Sequence, residues 1–197
     1  MISDRLARQV EFLLEVDRLK GIGRQSYVLG GARKENSAEH SWHVALMAVV
    51  LAEHAPAEVD VARVVRMLLV HDLVEIDAGD AYFYDAAANC AKPEREQAAA
   101  ERIFRLLPAD QATDLREAWE EFEAGESPEA RFAKGMDRLM PLLHNHHSQG
   151  RSWLEHGIRR EQVESRLLPD LAKASPAFLE LARGLIDDAV RRGWLVE

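Results

Sequence analysis

RMLLVHDLVEIDAGD, residues 66–80, sets His71, Asp72 and Glu75 into an otherwise apolar run with helical spacing. An apolar helix rarely carries such groups within one turn unless a metal ion or an ion-pair network satisfies them. Consecutive helical residues point about 100° apart, so His71 and Asp72 straddle a position over the helix face. Glu75 follows one turn further along that face. The run opens at Asp60, a good N-cap. It continues through Val61, Val64, Val65, Leu68 and Leu69 to about Asp77, where Gly79 stops it.

On either side of this run, nearly every long segment reads as helix. Asp4 to Lys20 places Leu6, Val10, Leu13 and Leu14 on one side at a period near 3.6. Gly21, Gly23, Gly30 and Gly31 mark an irregular stretch, and Ser37 is the expected N-cap of a helix running to His54. Residues 79–92 read as a loop rich in aromatics. Helices are then expected over Glu94–Leu107 and Asp110–Ala124. Ser127-Pro128 opens the helix that carries Asp137, and Ser175-Pro176 opens the last one, which ends near Gly193. Alternating runs and Asn-Gly turns are missing, so no strand pair is expected. The fold class is therefore all-α, a helical bundle in a single domain over residues 1–197.

Composition narrows the function. A formal net charge of −9 argues against a nucleic-acid polymer as ligand, because phosphate backbones demand clustered cations. A small phosphorylated substrate needs only one or two well-placed arginines and stays open. The single cysteine, Cys90, excludes an intrachain disulfide and thiolate metal sites, and a lone thiol fits a reducing cytoplasm. The first twenty residues alternate charged and apolar positions at helical spacing and do not read as a signal peptide, and no apolar run is long enough for a membrane span to be expected.

His71 and Asp72 call for partners from other helices, because bundle ligands converge inward from facing elements. Candidates are His40 or His43 on the preceding helix and Asp137 on a later one. Two imidazoles plus two carboxylates suit Mn, Co, Fe, Ni or Zn better than Mg. The competing reading is a core ion pair between neighbouring helices.

The chain resembles the HD-domain phosphohydrolases, and within them the branch containing 5′-deoxynucleotidases. The resemblance rests on Leu19-Lys20, Arg24, ENSAEHS at 35–41, HDLVEIDAGD at 71–80 and Asp137 within GMDRL. These blocks occur in the same order and cover about residues 19–145. The resemblance implies a helical fold in which His40, His71, Asp72 and Asp137 hold one divalent metal ion. It assigns Glu75 and Asp80 to catalysis or substrate positioning, turns Arg24 toward phosphate, and implies a homodimer. Gln25 stands where those deoxynucleotidases carry tryptophan, a residue associated with phosphate orientation and selection against ribose, so Gln25 becomes a candidate substrate contact.

The expected reaction is metal-dependent hydrolysis of a (deoxy)nucleoside 5′-monophosphate to nucleoside and phosphate. The alternatives are another HD-type phosphoesterase, acting on a cyclic nucleotide or guanosine alarmone, or a non-enzymatic helical module with a structural metal. Glu75 separates these last two classes, since a structural site needs no carboxylate beside an open position. His43 reads as a packing residue or a supporting contact. His144, His146 and His147 read as a solvated helix end, where imidazoles interact favourably with the helix dipole. Tyr82, Phe83 and Tyr84 are equally suited to a base pocket and to core packing. Trp153 and Trp194 fit burial in the bundle or a dimer contact.

Overall fold

The structure, a computed structural model, describes residues 3–56, 59–85, 90 and 92–197. Helix α1 (Asp4–Val16) begins where the Ser3 hydroxyl accepts from the Leu6 amide, and a 3-10 turn over Asp17–Gly21 follows it. Only Phe12 of α1 is buried; Leu6, Val10, Leu13 and Leu14 lie exposed.

The irregular stretch contains strands, which corrects the expectation of none. Strand β1 (Gly23–Tyr27) pairs antiparallel with β2 (Lys34–Asn36), and Gly30 and Gly31 turn the chain between them at φ of 87° and 68°. The pair is short and its register is irregular. Burial along β1 does not alternate, so no period of two marks it in the sequence. The hairpin carries Arg24 and Glu35 to the mouth of the bundle.

Helix α2 (Ser37–Val50) is capped by Asn36 rather than Ser37. Asn36 and Glu39 form a reciprocal capping box, which leaves the Ser37 hydroxyl free to face inward. Helix α3 (Val61–Val70) starts at Asp60 as expected, with the Asp60 carboxylate accepting from the Ala62 and Arg63 amides. It does not run unbroken to Asp77. Over residues 71–74 the backbone tightens to i→i+3 bonds, among them Leu73 N to Val70 O and Glu75 N to Asp72 O. Side chains three apart eclipse in such a turn, so Asp72 and Glu75 align along one line. The short α4 (Glu75–Ala78) ends at Gly79, φ 75°.

Helices α5 (Lys92–Phe104) and α6 (Ala109–Ala124) flank the bundle. Part of the loop expected over 79–92 falls outside the described residues. Helix α7 (Pro128–His147) is the central post: Ser127 caps it, proline opens it, and α2, α3, α6 and the later helices pack around it. Pro141 supplies no amide to the Asp137 carbonyl, yet the helix continues through it. Helices α8 (Arg151–His156), α9 (Arg160–Ala174) and α10 (Pro176–Arg191) complete the chain.

Gly135 lets α7 approach α9 closely, since a Cβ there would sit 2.2 Å from the Ala174 Cβ. The core around α7 includes Val44, Met67, Leu68, Met136, Leu139 and Leu142. Trp153 is buried in it, and Trp194 packs at its edge. No helix among the described residues is long and apolar enough to cross a membrane.

Candidate metal centre

Three segments converge at the turn that follows α3. His71 sits at the α3 C-cap, where its Nδ1 lies 2.8 Å from the Leu68 carbonyl oxygen. Donation from Nδ1–H to that carbonyl points Nε2 into the site. The Phe122 ring backs the imidazole at 4.8 Å. His71 Nε2 is buried and has no hydrogen-bond partner among the described residues.

Around that nitrogen stand the other three expected ligands. Asp72 Oδ1 is 3.2 Å away and Asp137 Oδ1 is 3.6 Å away. His40, fully buried in the first turn of α2, brings its Nε2 to 2.8 Å from the same Asp137 oxygen. Bonds of about 2.0–2.2 Å to one ion put neighbouring ligand atoms about 3 Å apart, so these separations match a common centre. An orphaned imidazole nitrogen facing two buried carboxylates is a donor set that a divalent cation satisfies. His40, His71 and Asp72 by themselves each offer an atom within 4.8 Å of the others.

The electrostatics agree. Burial disfavours a charge on His71, but Asp72 and then Asp137 overcome it and raise the imidazole to about 9. Burial likewise opposes ionisation of Asp137, yet Arg138, His40 and His71 hold its carboxyl well below the usual range. A proton on His71 thus occupies the electrostatic position of a cation.

Glu75, 3% exposed, lies beside this cluster and accepts from the Ser37 hydroxyl at 2.6 Å. Burial, then the Asp72 charge, push its carboxyl up to about 8. Arg24 reaches from β1 to Asp72 Oδ2 at 2.8 Å and approaches Glu75 at 3.9 Å. Burial works against its charge, and Asp72 and Glu75 keep it protonated. Asp80 lines the same cleft, its carboxyl raised by burial. Gln25 lines it too, and its amide oxygen accepts from Lys34. Tyr82, Phe83 and Tyr84 form one wall while also packing against the core.

Arg24, Gln25, Asp72, Glu75, Asp80 and Asp137 therefore line one cleft, with His40 and His71 buried beside it against the Asp137 carboxylate, and further residues stand around it. Lys92 and Arg138 line it as additional cations; Arg138 lies between Asp137 and Asp170, over the Phe83 ring at 4.3 Å. Glu35, buried at the end of the hairpin, sits 3.4 Å from His40 Nδ1. Lys92 and Arg138 carry no signal beyond adjacency to Pro93 and Asp137, whereas Glu35 opens the ENSAEHS block without a role assigned to it there. The histidine cluster needs correction. His144 is buried at 3% exposure rather than solvated, and His146 pairs with Asp188 at 2.9 Å. His147 is exposed, as a solvated helix end requires.

Comparison with known proteins places this geometry. The family model described as HD domain matches residues 16–179. A Bos taurus protein named 5′-deoxynucleotidase HDDC2 is 36% identical over 72% of this chain and 69% of its own length. Its Homo sapiens counterpart is 35% identical over 68% of this chain and 65% of its own. A crystal structure of a predicted metal-dependent phosphohydrolase from Magnetospirillum magnetotacticum superimposes with a TM-score of 0.93 at 49% identity, covering 99% of this chain and 100% of that one. A buried His-Asp pair in the turn that follows α3, within a bundle of this likeness, identifies the chain as a member of the HD domain family and a metal-dependent phosphohydrolase.

Proposed function

We propose that this enzyme hydrolyses the phosphomonoester of nucleoside 5′-monophosphates, releasing nucleoside and inorganic phosphate. The observation that carries the reading is the convergence of His40, His71, Asp72 and Asp137 on one point, with Glu75 and Arg24 beside it. Relatives named 5′-deoxynucleotidase support the substrate class. A divalent ion in this set, with Mn, Co, Fe, Ni or Zn preferred to Mg, supplies Lewis acidity toward water and a phosphoryl oxygen.

The protein residues do the rest. Arg24 exchanges its contact with Asp72 for the phosphate oxygens, offering a planar fork that matches two of them. Glu75, whose carboxyl burial and then Asp72 raise to about 8 in the metal-free chain, is placed beside the metal set to protonate the leaving 5′ oxygen. Ser37 fixes the Glu75 carboxyl by donating to Oε2. Lys92 and Arg138 add positive charge around a doubly charged ester. Asp80 faces the sugar, and Gln25, in place of tryptophan, admits ribose as well as deoxyribose.

Glu75→Gln tests the assignment. The variant keeps its metal by elemental analysis and its helical signal, and loses at least about a hundredfold in kcat, the contribution typical of a general acid. Unchanged turnover removes Glu75 from the mechanism. A screen of ribo- and deoxyribonucleoside monophosphates with Mn, Co, Zn and Mg tests the substrate; no phosphate release from any pair ends the nucleotidase reading.

A further inference from the structure

A second group of ligand-type side chains lies behind the first. His43 stands three residues after His40 on α2, and His144 seven residues after Asp137 on α7. One and two helical turns respectively separate these pairs, so the helices that supply the primary centre present another imidazole each, further along. Glu35, from β2, closes the triangle.

Glu35, His43 and His144 each offer one ligand atom within 4.8 Å of the others. Glu35 Oε2 and His144 Nδ1 are 3.8 Å apart, and both are buried without a hydrogen-bond partner among the described residues. That separation is too long for a hydrogen bond. It is close to the roughly 3.4 Å between ligand atoms on a tetrahedral ion with bonds of about 2.0–2.2 Å. Leaving two such groups unsatisfied in the interior is costly.

We infer that Glu35, His43 and His144 form a second divalent-cation site, a two-imidazole, one-carboxylate set of the kind zinc takes, with a position open to water. Burial, the larger influence, lowers the His144 imidazole against the pull of Glu35 and so favours its neutral, ligating form. Glu35 serves both centres, since its Oε2 also lies 3.4 Å from His40 Nδ1. Access is available: His43 is only partly buried and opens onto an apolar groove lined by Leu29, Leu46, Val50 and Met140.

Equilibrium dialysis of the full chain against zinc, followed by elemental analysis, reads the stoichiometry. The wild type is expected to load two equivalents. His43→Ala, at a partly exposed position that tolerates truncation, and His144→Leu, which fills the buried space, are each expected to load one fewer. Circular dichroism confirms that both remain helical. A wild type that saturates at one equivalent, or a folded variant of either kind that loads as many ions as the wild type, overturns the site.

Discussion

His71 is a buried imidazole set against two carboxylates, and in the proposed centre its proton competes with the metal ion. Burial works against its charge, while Asp72 and Asp137 hold it protonated up to about 9. A cation at Nε2 must displace that proton. Apparent affinity therefore climbs about tenfold per pH unit below pH 9 and levels off above it. Calorimetric titrations at pH 7 in buffers of different ionisation enthalpy should report release of about one proton per ion from His71. Affinity that stays flat from pH 6.5 to 8.5 would exclude the coupling. For the metal-free chain the same shift has the opposite consequence for stability. Its contribution is fully present below about 6.5, the ordinary imidazole value, and disappears as pH rises through about 9. His71, Asp72 and Glu75 were legible in the sequence because three ionisable groups interrupt an apolar helix. Glu35 was not. It gains its position from a hairpin that brings it beside His40, a contact no local spacing encodes.

Among the elements, α7 is the one whose placement the site depends on most, and Gly135 fixes it. A Cβ at 135 would meet the Ala174 Cβ at 2.2 Å, and neither atom is the far end of a flexible chain. Gly135→Ala gains up to about 1 kcal/mol of helix propensity, but overpacking of a filled interface typically costs about 1–3 kcal/mol. At this separation we expect the cost to prevail, with a lower urea midpoint. Asp137 lies two residues on, so metal affinity should fall as well. A midpoint at or above the wild-type value would mean that α7 and α9 separate freely. The starts of α3, α7 and α10 were readable because Asp60, Ser127 and Ser175 are good caps, the last two followed by proline. The start of α2 is ambiguous by one residue in the sequence, since Asn36 and Ser37 are both good caps, and the partnership of Asn36 with Glu39 decides between them. The break after α3 was hidden for a related reason. A 3-10 turn keeps helical hydrophobicity while changing which side chains align.

For the whole molecule, the proposed primary centre joins parts of the chain that are distant in sequence. His40 comes from α2, His71 and Asp72 from the turn after α3, and Asp137 from α7. A cation bound there binds the folded chain and not the open one, which lacks the converged set. It therefore stabilises by RT ln(1 + [L]/Kd), about 2.7 kcal/mol when free metal exceeds Kd a hundredfold. For a chain of 197 residues each kcal/mol moves the midpoint by about 2–4 °C, so saturation should raise Tm by about 5–11 °C over the chelated protein. Asp137→Asn discriminates this account from general ionic effects. Asp137 Oδ1 faces both His40 and His71, so its replacement removes the shared anionic ligand while preserving side-chain size. Scanning calorimetry with and without metal should show the increment reduced by more than half in that variant. The ion then retains only its weaker contacts and the second site. An increment equal to that of the wild type would place the stabilising ion elsewhere and separate the fold's cohesion from the His-Asp centre.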